Sequence, residues 1–222
     1  MERKTNRFAL PVGLLAAFAL WTASVCLVDV QSIGPLGSRV GFAALNGWFH
    51  GLTGVHMALY DLTDLLSVIP LGVCGLFGLL GAAQLVRRRS LRKVDRDILL
   101  LGIYYVVVIG AFFLFEVFPV NFRPIFIEGK LEASYPSSTT LLVLSVMPTL
   151  VFQADRRCKG VGLKWAVRIL TAAFSCFMVV SRLVCGVHWL TDIVGGLVLS
   201  TGLFLLYTAS VRIFGEEKNG AR

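Results

Sequence analysis

Four stretches of the chain, residues 8–28, 65–86, 98–115 and 193–211, contain no Asp, Glu, Lys or Arg. Each approaches the ~20 apolar residues that carry a helix across a bilayer. Two further segments, 137–152 and 165–180, are shorter and more polar. The first contains Pro148, where a helix bends, and the second Arg168, near enough to its end for the long side chain to snorkel toward water. This pattern predicts an all-α polytopic membrane protein of six transmembrane helices, with one membrane-embedded domain over residues 1–222. Residues 29–64, between the first two spans, have aromatics and glycines without sustained charge. They read either as an interfacial helix or re-entrant segment at the lipid surface, or as a plain connecting loop.

Composition agrees, and charge sets the orientation. The 222 residues are 56% hydrophobic, with a mean hydropathy of +0.78. A net charge of +8 would suit nucleic acid if it were gathered on one soluble face, but here it is sorted by side of the membrane. With a cytoplasmic N-terminus, 17 of the 21 Lys and Arg fall inside, and only Arg39, Arg123, Lys130 and Arg182 fall outside. The positive-inside rule then puts both termini in the cytoplasm of a cell-membrane protein and leaves nucleic-acid binding without support. The opening "MERKTNR" and its apolar run read as a retained anchor, because the run is long for a signal peptide and no small-residue cleavage site follows. Cys26, Cys74, Cys158, Cys176 and Cys185 stand singly at wide spacing, as small packing residues do.

Most of the ionisable groups that are not on the cytoplasmic side lie in "FEVFPVNFRPIFIEGKLEASYPSSTT" and "SRLVCGVHWLTDIVGG". Ionisable residues at membrane depth are costly, which makes them functional candidates. His188 and Asp192 are four apart, a spacing that on a helix puts both on one face within hydrogen-bond reach, with Ser181 and Cys185 on the same stripe. Such a carboxylate fixes the imidazole tautomer and frees the other ring nitrogen as base, ligand or nucleophile. The same stripe also suits a polar seam between packed helices. A metal site is disfavoured, since one His and one Asp without a second cluster rarely suffice. Arg123 and Arg182, on the same side beside hydroxyls and near expected helix starts, favour phosphate.

These residues resemble the integral-membrane type 2 phosphatidic acid phosphatases, which share an active-site architecture with vanadate haloperoxidases. That family carries K-x6-RP, then PSGH, then SR-x5-H-x3-D. The third signature is complete here as Ser181, Arg182, His188 and Asp192, followed by Gly195 and Gly196. Arg123–Pro124 and Pro136–Ser137 supply parts of the other two, so the motif-bearing part runs over 116–196. The resemblance implies a lipid phosphatase or diphosphatase on the extracytoplasmic face, acting on a lipid phosphate such as phosphatidic acid or an isoprenyl diphosphate, with no metal or other cofactor. It implies His188 as nucleophile through a phosphohistidine, Asp192 as its orienting carboxylate, and Arg123, Ser137, Ser138, Thr139 and Arg182 as phosphate-binding residues.

Two departures stand beside the match. Glu116 occupies the motif lysine position, and Ser138 and Thr139 occupy those of the glycine and the histidine that protonates the leaving group. General acid catalysis is worth ~10²–10⁴ in rate, so its loss favours a phosphoanhydride, whose leaving group hardly needs a proton. Glu116 either replaces the acid, its carboxyl kept protonated by burial and a nearby phosphate, or pairs with Arg123 or Arg182. His50 and His56 lie on the same side and read more readily as structural. A homologue that only binds or moves a phosphorylated lipid, and a phosphotransferase, are the other readings of these residues.

Overall fold

In the computed structural model, which describes residues 2–216 and the side chains of residues 7–214, the apolar runs form helices. In chain order these are α1 (Glu2–Leu27), α2 (Ala43–Thr53), α3 (Met57–Leu66), α4 (Val68–Arg88), α5 (Arg96–Val117), α6 (Ser138–Arg157), α7 (Val161–Val184) and α8 (Leu190–Glu216). Among the described residues, six helical segments are long and apolar enough to cross a membrane, with α3 and α4 joined through Ser67 as one such segment, Met57–Arg88. The six expected spans are therefore present. Lys218 and Arg222, counted among the inside charges, lie outside the described residues.

The segment 29–64 is divided differently from either expectation. Residues 43–53 form a short helix of their own, whereas Met57–Leu66 extends the second span outward. Asp61 and Asp64 hid this extension, because charged residues interrupt an apolar run without interrupting the helix.

The two weaker spans differ from one another in what surrounds them: half of the most apolar part of α6 is buried in protein, against 28% for α7. Only 17% of the most apolar part of α1 and of Met57–Arg88 is buried in protein, against 50% for α6 and 56% for α8. α6 and α8 therefore form the centre and the others present large faces to lipid. That placement explains why α6 is polar. Ser145, Thr149 and Gln153, one turn apart, are fully or almost fully buried, and their neighbours supply hydrogen bonds. Tyr104 donates to the Ser145 carbonyl (2.9 Å), Tyr105 meets Thr149 Oγ1 (2.7 Å) and Gln153 donates to the Tyr207 hydroxyl (2.9 Å). α6 also continues through Pro148.

Glycine lets α8 approach the turn that begins α6. A Cβ on Gly195 would lie 2.6 Å from the Tyr135 ring, and one on Gly196 would lie 3.0 Å from Thr140 Cγ2. Tyr135 is buried there, stacked on Phe18 of α1, and its hydroxyl meets Thr22 Oγ1 at 2.7 Å. This packing brings the start of α6, the start of α8 and the end of α7 to one end of the bundle.

Candidate active site

His188 lies in the turn between α7 and α8, so it does not share a helix face with Asp192 as its spacing suggests. Asp192 is in the first turn of α8. Two backbone features shape the turn. Gly186 adopts φ +73°, and a Cβ there would lie 1.9 Å from the Gly54 carbonyl oxygen, so the segment after α2 packs directly on it. The His56 amide donates to the Cys185 carbonyl (2.9 Å). His50 Nε2 bonds the Gly186 carbonyl (3.1 Å) and His56 Nε2 the Thr53 carbonyl (2.9 Å). Both histidines thus hold backbone.

Asp192 is fully buried and its carboxylate is heavily bonded. Trp189 N–H donates to Oδ2 (2.9 Å), Asn121 Nδ2 to Oδ1 (3.3 Å), and Ser134 Oγ to Oδ2 in a short contact. His188 Nδ1 is 3.7 Å from Oδ2, beyond a direct hydrogen bond. Ser134 fills the gap: its carbonyl is 3.1 Å and its Oγ 3.2 Å from Nδ1. A carbonyl only accepts, so the proton sits on Nδ1 and Nε2 carries the free lone pair. Nε2 is buried and without a hydrogen-bond partner among the described residues. Burial is the largest influence on the ring, pushing its pKa from 6.5 down to about 4. Asp192 pulls the other way, and Arg123 and Arg182 add to the depression. The imidazole is neutral at neutral pH, as a nucleophile must be.

Both arginines are buried, Arg123 in the loop after α5 and Arg182 in the last turn of α7 rather than at a helix start. Arg123 Nη1 and Arg182 Nε have no hydrogen-bond partner among the described residues. Arg123 Nε is 3.1 Å from Glu132 Oε2 without hydrogen-bond alignment, and Arg182 Nη2 donates to Asp64 Oδ1 (3.3 Å). The two guanidinium carbons lie 5.8 and 4.7 Å from the centre of the Tyr60 ring, which therefore gathers both. Glu116, at the end of α5, is exposed and forms neither of the ion pairs considered for it; Glu132 and Asp64 take those places.

The hydroxyls of "YPSSTT" divide their duties. Ser137 is buried as the N-cap of α6, accepting from the Thr140 amide (3.4 Å), while its own amide donates to the Asp192 carbonyl (3.1 Å). Ser138 and Thr139 face space. A polar cavity of about 190 Å³ is lined by Glu116, Arg123, Glu132, Ser134 and Ser138, among others. An adjoining, mostly apolar groove of about 300 Å³ is lined by Asp64, Leu71, Val108, Phe112, Ser138 and Thr139, among others. Phe112, Ser138 and Leu141 line both.

The structure thus brings His188, Asp192, Arg123 and Arg182 together and adds Ser134, Tyr60, Asp64, Asn121 and Glu132. Asp64 carried a sequence signal, a carboxylate at the outer end of an apolar run. Ser134 had only its nearness to Pro136.

The model of the PAP2 superfamily matches residues 116–215. Among solved structures, the chain is similar to the first transmembrane PAP2 type phosphatidylglycerolphosphate phosphatase from Bacillus subtilis, with a TM-score of 0.64 and 18% identity. The likeness covers 93% of this chain and 96% of that one, and at this identity it is a likeness of fold. No curated protein matches the sequence.

Proposed function

From the match of the PAP2 superfamily model to residues 116–215 together with the geometry of the site, we propose that the chain is a membrane lipid phosphatase or diphosphatase of that superfamily, working through a phosphohistidine on the extracytoplasmic face. The observation that carries this reading is the set of buried nitrogens without a hydrogen-bond partner among the described residues, Arg123 Nε and Nη1, Arg182 Nε and His188 Nε2. An unpaired buried donor or acceptor costs ~1–3 kcal/mol, and more when charged, so a site that keeps four is built for a ligand that satisfies them. A phosphate suits this set. Arg123 and Arg182 hold its oxygens, and the free amides that begin α6, with the Ser138 hydroxyl, add donors.

In this mechanism His188 Nε2 attacks phosphorus. Positive charge develops on the ring, and the Nδ1 proton faces Ser134 with the buried Asp192 carboxylate behind it. Ser137 acts through the backbone it caps and Thr139 lines the groove. The apolar groove takes the start of the lipid chain. The charge asymmetry of the sequence supports a cell-membrane location with the termini inside and the site outside.

Thr139 at the position of the motif acid favours one other reading, a homologue that binds or moves a lipid phosphate without cleaving it. The free Nε2 opposes it, since phosphate binding alone needs no poised nucleophile. Hydrolysis and transfer to an acceptor hydroxyl share the same phosphohistidine. The test is phosphate release by purified protein from phosphatidic acid and from undecaprenyl diphosphate, alongside His188→Ala. Release by wild type alone is expected; binding of both lipids with release of neither would establish the binding reading.

A further inference from the structure

An in-line displacement fixes where the departing oxygen must be. It links a phosphate held by Arg123 and Arg182 to a lipid that leaves through the apolar groove, so it lies where the polar cavity meets that groove. Ser138 lines both spaces and Thr139 the groove. Neither hydroxyl is a stronger acid than the alcohol that has to leave. Among the groove-lining residues, one side chain ends in a carboxyl group, Asp64. It reaches Arg182 Nη2 at 3.3 Å, and Tyr60, one turn earlier on α3, covers both guanidinium groups.

We propose that Asp64 is the proton donor to the leaving group, taking the duty that Thr139 cannot perform. This rests on the phosphatase reading and extends it to the substrate class, since a chain with its own acid cleaves lipid phosphate monoesters as well as phosphoanhydrides. The Asp64 carboxylate accepts from Arg182 Nη2. An arriving phosphate takes that guanidinium, which frees the carboxylate to receive a proton from water and to carry it to the leaving oxygen. The His188 Nε2 lone pair then forms the P–N bond, the P–O bond breaks with its electron pair on the leaving oxygen, and the Asp64 proton passes to that oxygen. In the second half, the Asp64 carboxylate takes a proton from water as the water oxygen bonds phosphorus. The P–N electron pair returns to Nε2, leaving free phosphate and a neutral ring.

Glu116 is the rival. It lines the polar cavity and not the groove.

The discriminating experiment varies the leaving group. Full-length Asp64→Asn in mixed micelles is compared with wild type on phosphatidic acid and on 4-nitrophenyl phosphate, whose phenolate leaves without a proton. The expected result is a loss of about 10²–10⁴-fold in kcat on phosphatidic acid, less than about 10-fold on the aryl phosphate, and partial recovery with Asp64→Glu. A structural defect lowers both substrates together, so equal losses overturn the assignment. So does wild-type turnover of phosphatidic acid by Asp64→Asn, or a leaving-group-selective loss in Glu116→Gln instead. If wild type turns over and His188→Ala does not, those outcomes remove only the donor. If wild type releases phosphate from neither substrate nor from undecaprenyl diphosphate, the phosphatase reading falls with it.

Discussion

Arg123 and Arg182, at the end of the bundle that holds His188, are 7% and 1% exposed and keep donors without partners. At the opposite end Arg88, Arg156, Arg157 and Arg168 have 32% to 43% of the side chain exposed, and each meets a carboxylate of Asp95, Asp97 or Asp155 within 3.4 Å. Arg168 is the clearest, with one Nη2 within 2.9 Å of both Asp155 oxygens while its guanidinium lies over Trp165. The difference separates two uses of one residue type. Exposed pairs stabilise by little and serve to hold helix ends at the water interface. Buried and incompletely paired arginines cost stability, and only a ligand returns it. The first kind accounts for much of the charge at that end of the bundle, and the second marks the proposed site.

That contrast breaks first at Arg182. Arg182→Ala should lower phosphate release by about 10²–10³-fold while the protein still elutes as a folded species, because it removes a transition-state donor. Unchanged turnover would make Arg182 a packing residue like those at the other end.

The next effect is one of pH. In the protein alone, the imidazole of His188 should titrate near 4 rather than near 6.5, as read from its ¹⁵N resonances. The sign follows from burial: between these values the unfolded chain binds a proton that the folded chain does not. His188's contribution to stability is therefore complete above about 6.5 and is lost as pH falls toward 4. Titration near 6.5 would mean that His188 is open to water.

Smaller effects come from packing and from the paired end. Gly195→Ala drives a methyl into the Tyr135 ring and should destabilise by about 1–3 kcal/mol in thermal unfolding, whereas Gly78→Ala on α4 meets nothing within 4 Å and should not. Arg168→Ala should cost at most about 1 kcal/mol and leave turnover unchanged. A catalytic loss in that variant would couple the two ends.

Six spans were legible because lipid demands long apolar runs, and the third signature was legible because its chemistry requires fixed residue types in one short segment. α6 gave a weaker signal for a physical reason. It is half surrounded by protein, so polar side chains are tolerated along it: Thr149 Oγ1 and Gln153 Nε2 meet tyrosine hydroxyls of other helices, and Tyr104 donates to the Ser145 carbonyl. The site was legible only where the motif is local. His188 and Asp192 could be paired from their spacing, but Ser134, which stands between them, comes from 54 residues away from His188. Asp64 reaches Arg182 across 118 residues, a closeness that exists only once α3 packs on α7. Helix periodicity also misplaced His188, because Gly186 ends the helix before it.

The central claim is that His188 forms a covalent bond to phosphorus. Its most direct test is acid-quench trapping of ³²P on the purified protein during turnover of a labelled lipid phosphate, compared with His188→Ala. The account predicts acid-labile, alkali-stable label on wild type and none on the variant. Turnover of the labelled lipid with no label on wild type, or equal label on both proteins, would contradict it.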